Sequence, residues 1–313
     1  MKQCASVIVT YNPTNVVVEL IYQLLSQGAY VIIIDNGSKE SREIHEIKKA
    51  NHQKLLFCQF DQNVGLALAQ NKGIEIAQKL CVDYISFFDQ DSECPQNYIE
   101  SMMKCFSDEK YLNYKIGILA PNYYDKNTNQ FARFAKLEST TYRHIECVGA
   151  SKEPVDVSFV ISSGSMMPVS LFKEIGLFVD NFFIDQVDTE YCLRAISNGY
   201  KVLVNPDCII IHTIGNRTKE TLLGVVIKPN HHSEMRKYFI VRNGMKTVFW
   251  YGMRFPGFTV LMLSRLGHDF LGVLFFEEKK IRKIFYMFKG LCHSFLSIKS
   301  WNRLEKKGIS NHL

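Results

Sequence analysis

SVIVTYNPTNVVVELIYQLLSQGAYVIIIDNG, residues 6–37, decides the class of fold. SVIVTY (6–11) and YVIIIDN (30–36) are short β-rich apolar runs, and residues 13–28 between them carry apolar positions at helical spacing. The alternation continues. KLLFCQF (54–60), DYISFFD (83–89) and KIGILAP (115–121) read as strands, with helical patterns over 40–50, 64–80 and 97–107. Strand, helix, strand in regular succession predicts an α/β protein with a mostly parallel central sheet and helices on both faces. Ligands of such sheets bind outside the carboxyl ends of the strands.

Those ends are polar. They carry Thr10, Tyr11 and Asn12, then Asp35, Asn36 and Gly37, then Asp61 and Asn63, then Asp89 and Asp91, which together describe one crevice. Asn36 and Gly37 equally suit an ordinary turn. In FFDQDS (87–92) the two carboxylates stand two positions apart, and in an extended segment they point the same way. Like charges so placed repel, and a cation relieves them. TYNPTN after the first strand is glycine-free and no GxGxxG occurs anywhere, which removes the usual pyrophosphate cradle of dinucleotide enzymes. Phosphates here would need a metal, and Asp89-Gln90-Asp91 offers the oxygen ligands that Mg²⁺ or Mn²⁺ prefers.

A second block follows. VSFVISSG (157–164) reads as a strand entering a Ser/Gly turn, residues 176–200 as a loop entering a helix that stops at Gly199, and KVLVNPDCIIIH (201–212) as two short strands around Pro206. The composition is globular, with 47% hydrophobic and 22% charged residues among 313. Nine cysteines form no CxxC and read as buried thiols of a reducing cytosol. MKQCASVIVTYN lacks an apolar h-region, so no signal peptide is expected. The net charge of +6 is uneven: residues 245–313 carry +8 and residues 1–244 carry −2. That distribution argues against a nucleic-acid groove in the main domain. It argues for an anionic surface near the C-terminus, most simply a membrane.

The succession SVIVTYN, IIIDNGS, NVGLALAQNKGI, FFDQDS and FFIDQVDTEYCLRAISNGY resembles the nucleotide-sugar-dependent glycosyltransferases of family 2, which have the GT-A fold. FFDQDS together with RKYFIVRN (236–243) is most similar to the bacterial dTDP-rhamnosyltransferases that build O-antigen or capsular polysaccharide. The resemblance implies that Thr10, Tyr11, Asn12 and Asp35 contact the nucleoside, with Asp35 on the base. Gly65 and Asn71 match the segment lining the nucleotide pocket, although Asn71 equally suits a structural helix position. Asp89 would face the ribose or the metal, Asp91 the metal, and His212 would complete metal or diphosphate binding unless it is a satisfied strand-end histidine. Arg236, Tyr238, Arg242 and Asn243 match a segment that closes over diphosphate and acceptor, and also read as an amphipathic helix with a solvated basic face.

Inverting transfer needs one base to take the acceptor proton and a metal to offset charge on the leaving diphosphate. The family pattern places that base at Asp188, with Val187 standing where a Glu is common. Asp185 and Glu190 lie near enough to compete, and acidic residues also favour a helix start through the dipole alone. Arg194 could pair with Glu190.

The expected organisation is a GT-A catalytic domain over 1–244 and a basic tail of amphipathic helices over 245–313. The tail would lie on the inner face of the plasma membrane, or else serve as a lid or dimer contact. The expected partners are a nucleotide-sugar donor, dTDP-rhamnose first and a UDP-sugar as alternative, and a lipid-linked saccharide acceptor, with no nucleic acid. Two other classes stay open: a phosphatase using a strand-end DxD nucleophile, and a non-catalytic membrane-tethered scaffold that binds sugar nucleotides.

Overall fold

A computed structural model describes residues 2–50, 52–108, 114–125, 129–147, 153–212, 220–222, 225–227 and 229–296. The chain begins β1 (Cys4–Thr10), α1 (Val16–Ser26), β2 (Tyr30–Asp35), α2 (Arg42–Lys49), β3 (Leu55–Gln59), α3 (Leu66–Lys79), β4 (Tyr84–Asp89), α4 (Tyr98–Ser107), β5 (Ile116–Asp125). It continues β6 (Gln130–Phe131), β7 (Arg133–Leu137), β8 (Tyr142–Glu146), β9 (Val155–Val157), β10 (Met166–Pro168), α5 (Val169–Ile175), α6 (Val187–Ser197), β11 (Lys201–His212), β12 (Glu220–Leu222), β13 (Val225–Ile227), α7 (Glu234–Tyr251), α8 (Pro256–Phe275) and α9 (Lys280–Leu296).

The central sheet runs β3-β2-β1-β4-β10-β5-β11-β9, with β6 beside β5. β3, β2, β1 and β4 are parallel neighbours, as are β5 and β11. β10 enters antiparallel between β4 and β5, and β9 is antiparallel at the edge. The expected mostly parallel sheet therefore holds with an antiparallel insertion. β2 is buried along Val31–Asp35, as suits a β-branched strand covered on both faces. α1 turns Val17, Leu20, Ile21, Leu24 and Leu25 into the core on a helical period. α3 lies close on β1 because Gly73 has no Cβ, which would stand 2.3 Å from Val7 Cγ1. β11 is one strand rather than the two expected around Pro206. Its ladder to β5 shifts register between Asn205 and Ile209, and the Asp207 N–H finds Asn205 Oδ1 instead, at 3.1 Å.

The chain divides into two compact units, Met1–Lys136 with His144–Phe183 and Val187–Ile214, and Leu137–Arg143 with Ile184–Gln186 and Gly215–Leu313. Residue 244, the boundary expected from sequence, falls inside α7. Residues 297–313 of the basic tail lie outside the described residues.

In the second unit, Val241, Val273 and Met287 join α7, α8 and α9 in a small apolar core. Beside it Lys237, fully buried, reaches Asp269 at 2.5 Å and Glu277 at 2.8 Å, and Lys283 meets the other Glu277 oxygen at 2.7 Å. Burial opposes charge on Glu277, yet its hydrogen bonds to Lys237 and Lys283 and their charges hold the carboxyl below its ordinary range. The stabilisation is thus present above the usual Glu pKa and is lost as the pH falls below it. Breaking such a network on one side leaves an uncompensated buried charge. Lys237→Ala is therefore expected to destabilise the protein by about 3–5 kcal/mol. Urea unfolding measures it, and a loss under about 1 kcal/mol would show that water enters the network.

Candidate active site

The parallel order places the carboxyl ends of β2, β1 and β4 side by side, with Thr10 opposite Asp35 and Val9 opposite Asp89. Asp35 is fully buried. Its Oδ2 accepts from Thr10 Oγ1 at 2.9 Å and Ser38 Oγ at 2.5 Å, and its Oδ1 from the Ser38 N–H at 3.0 Å. Ser38 Oγ in turn accepts from the Asn12 N–H at 2.7 Å, and Asn12 Oδ1 accepts from the Lys39 N–H at 3.0 Å. Asn12 adopts the left-handed region, φ 47°, which Asn tolerates. The turns after β1 and β2 are thereby laced into one wall around Asp35, and Tyr11, on the first of these turns, is 49% exposed.

The DxD motif departs from the extended pair expected. β4 ends at Asp89, and Gln90 and Asp91 form a turn in which the Ser92 N–H donates to the Asp89 carbonyl at 3.2 Å. Gln90 points back across the sheet edge: its Oε1 accepts from the Tyr11 N–H at 2.8 Å and its Nε2 donates to the Tyr11 carbonyl at 3.3 Å. A second turn supports the first. The Asp89 N–H donates to Ser163 Oγ at 3.4 Å, Ser163 and Ser92 hydroxyls lie 2.6 Å apart, and the Gly164 N–H reaches the Phe87 carbonyl at 2.6 Å. Asp89 is half-buried and Asp91 exposed.

Among the described residues no group of three His, Cys, Asp or Glu side chains stands ready to hold a metal. Two carboxylates at one strand end nevertheless suit a hard divalent ion that completes its shell with water and substrate phosphate. β11 ends at His212, paired in register with Asp125. The His212 side chain lies outside the described residues.

Gly65 and Asn71 act on the chain that leads to Asp188. Gly65, at φ 92°, brings α3 against Phe183, where a Cβ would stand 2.7 Å from the Phe183 backbone, and the Leu66 N–H donates to the Phe183 carbonyl at 2.6 Å. Asn71 Nδ2 donates to the Phe178 carbonyl at 2.9 Å and to Asp180 at 2.6 Å, while its Oδ1 accepts from the Phe178 N–H at 3.0 Å. Asp188 follows in the first turn of α6, half-buried. Glu190, two residues on, is buried and paired with Arg194, which also donates to the Ile175 and Leu177 carbonyls. Its carboxylate is committed to that structural pair.

Asp185 and the motif RKYFIVRN belong to the second unit. Asp185 and Gln186 are both left-handed at φ 65°, a conformation costly for non-glycine residues and concentrated at functional sites. Arg236 grips Asp185 through Nε and Nη2, each at 3.2 Å, and Asn243 Nδ2 donates to the Ile184 and Asp185 carbonyls at 2.8 and 3.0 Å. Burial raises the Asp185 pKa, against the pull of Arg236. Tyr238 bonds its hydroxyl to His293 Nδ1 at 2.8 Å, and Arg242 Nε donates to Asn243 Oδ1 at 2.9 Å. Arg236, Tyr238 and Arg242 therefore all have partners within their own unit.

A family model described as glycosyl transferase family 2 matches residues 6–176. The dTDP-rhamnosyl transferase RfbF of Shigella flexneri is 32% identical over 239 residues, 76% of this chain and 77% of that one. The chain belongs to glycosyltransferase family 2. Two solved structures share the fold of this family 2 glycosyltransferase at low identity. A mannosyltransferase from Pyrobaculum calidifontis, in complex with GDP-Man and Mn²⁺, has a TM-score of 0.56 and 11% identity, with 97% of this chain and 80% of that one covered. GalNAc-T7 with UDP, GalNAc and Mn²⁺ has a TM-score of 0.58 and 15% identity over 79% of this chain, which spans 48% of that longer protein. Family and GT-A fold thus agree with the expectation from sequence. Gln90, Ser38 and Ser163 are polar residues of the crevice to which the sequence reading assigned no such role, because their partners lie 79, 26 and 74 positions away or belong to an unremarkable turn.

Proposed function

We propose that this glycosyltransferase moves L-rhamnose from dTDP-rhamnose, with inversion, onto a lipid-linked saccharide in cell-surface glycan synthesis. The observation that carries the reading is the 32% identity to the Shigella enzyme across three quarters of both chains. Thr10, Tyr11, Asn12 and Asp35 would form the nucleoside end of the site, and the exposed Tyr11 ring offers a face to the base. Asp89 and Asp91 would hold Mg²⁺ or Mn²⁺, whose chemistry is to offset charge on the departing diphosphate. Asp188 accepts the proton of the acceptor hydroxyl as that oxygen bonds to the anomeric carbon. The bond from that carbon to the diphosphate breaks on the opposite face, and its electron pair leaves with dTDP.

Purified protein tested with dTDP-rhamnose, UDP-sugars and GDP-mannose beside a prenyl-diphosphate saccharide decides the donor. Turnover confined to a UDP-sugar overturns the rhamnosyl reading and leaves the fold reading intact.

The tail supports a position on the inner face of the plasma membrane. α9 exposes Ile281, Phe285, Phe288 and Phe295, spaced three to seven apart, with Phe285 61% and Phe288 63% accessible. α8 exposes Val260, Leu263, Phe270 and Leu274. α8 is long and apolar enough to cross a membrane, yet Asp269 within it is tied to Lys237 of α7. An interfacial helix reconciles the two, and Lys279, Lys280, Arg282 and Lys289 supply the charge that anionic lipid attracts. Phe285→Ser with Phe288→Ser touches exposed positions and leaves the fold intact. At roughly 1.5–3 kcal/mol per inserted Phe, the double change is expected to weaken binding to phosphatidylglycerol vesicles by about a hundredfold or more. High salt should weaken the wild type only partly. Unchanged co-sedimentation of the double variant would mean that this face does not meet lipid.

A further inference from the structure

β1 and β4 run in register as far as Val9 and Asp89, where their backbone ladder stops. Past that point one side chain continues the pairing. The Gln90 amide takes the place of a peptide group: its Oε1 accepts from the Tyr11 N–H at 2.8 Å and its Nε2 donates to the Tyr11 carbonyl at 3.3 Å. Both polar backbone groups of Tyr11 are thus met by the middle residue of the DxD motif. Engaged at both ends of its amide, Gln90 serves as a link to Tyr11 rather than as a third oxygen ligand beside Asp89 and Asp91.

The two sides of that link are held differently. The turn that carries Gln90 is braced from within the first unit: the Asp89 N–H donates to Ser163 Oγ at 3.4 Å, the buried Ser92 and Ser163 hydroxyls lie 2.6 Å apart, and the Ser92 N–H donates to the Asp89 carbonyl at 3.2 Å. Phe87, two residues before Asp89, donates its N–H to the Ser165 carbonyl at 3.0 Å and accepts from the Gly164 N–H at 2.6 Å. Tyr11, by contrast, has left its strand for a bend and is half-exposed, with the left-handed Asn12 next in the chain. A braced turn on one side and a bare bend on the other make the Gln90 amide the contact that sets where Tyr11 stands.

We propose that Gln90 is a positioning residue that couples a cation at Asp89 and Asp91 to the binding of a nucleoside at Tyr11. The inference rests on the transferase reading and goes beyond it. A nucleotide whose phosphates touch the cation binds with it whatever the protein does, whereas a nucleoside without phosphate senses the cation only through the chain. Coupling of this kind is reciprocal and is read as the change that one ligand makes in the affinity of the other.

The test is a saturation-transfer NMR titration of the full-length protein with thymidine and with uridine, each with and without Mg²⁺, in wild type, Gln90→Leu and Gln90→Glu. Mg²⁺ is expected to tighten nucleoside binding to wild type about fivefold. In Gln90→Leu that effect is expected to vanish, and the metal-free affinity to fall about two- to tenfold, as for lost neutral hydrogen bonds. Gln90→Glu keeps an acceptor for the Tyr11 N–H and is expected to recover part of the metal-free affinity. The melting temperature should stay at the wild-type value, because the link lies at an exposed sheet edge. Calorimetric binding of inorganic pyrophosphate with Mg²⁺ should also persist in Gln90→Leu, since both carboxylates remain. Wild-type nucleoside affinity that is indifferent to Mg²⁺, or unchanged in Gln90→Leu, overturns the coupling. Loss of Mg²⁺-dependent pyrophosphate binding in Gln90→Leu overturns it too, by making Gln90 a ligand of the cation. Transfer by a wild type whose nucleoside binding ignores Mg²⁺ sinks the link alone. A wild type that binds neither nucleoside and turns over no nucleotide sugar sinks the transferase reading together with the link.

Discussion

Asp188→Asn is expected to fold, to bind the donor with metal and to transfer about 10²- to 10⁴-fold more slowly, the usual cost of removing a general base. Asn keeps the shape of the side chain but cannot take up the acceptor proton, so the loss falls on turnover rather than on donor affinity. The neighbouring carboxylates serve as internal controls. Glu190 is buried against Arg194, and Glu190→Gln should act on the stability of α6 more than on turnover. Asp185 is gripped by Arg236, and Asp185→Asn should loosen the left-handed pair at residues 185 and 186. Turnover and donor dissociation constant, measured for all three, separate the roles. If Asp188→Asn stays within a few-fold of wild type while Glu190→Gln is dead, the base lies at Glu190.

Asp91→Ala is expected to abolish transfer without disturbing the fold. Asp91 is exposed on the turn after β4 and none of its side-chain atoms holds the described structure together, so loss of function would be chemical in origin. With Asp91 gone, Asp89 alone would face the cation, and the dependence of donor affinity on Mn²⁺ or Mg²⁺ should vanish along with turnover. Asp89→Ala should also be severe. Near-normal turnover of purified Asp91→Ala, with its metal dependence intact, would remove Asp91 from the metal site.

Much of the first unit was legible along the chain. β1 to β5 and α1 to α4 fall within a few residues of the expected spans, since β-branched runs and helical apolar periods are local signals. The strand ends were equally legible, because a parallel sheet forces its polar turns onto one edge. Local signals failed elsewhere. β10 is three residues and α5 seven, too short for a period to register. Pro206 promised a break, but a register shift absorbed it and β11 ran on.

Sequence by itself determined the α/β class, the polar crevice and, through its motifs, family 2. Each of these rests on residues adjacent in the chain or repeated at a fixed period. Tertiary structure alone decided which polar residues are already engaged. Asn71 binds a segment 107 positions away, Gln90 one 79 positions away, and Arg236 one 51 positions away. It also gave the buried Lys237 carboxylates 32 and 40 positions further on. The physical reason is common to all of them. A side chain's charge state and freedom depend on what folding brings within about 3 Å of it, and partners so remote leave no periodic trace in the sequence.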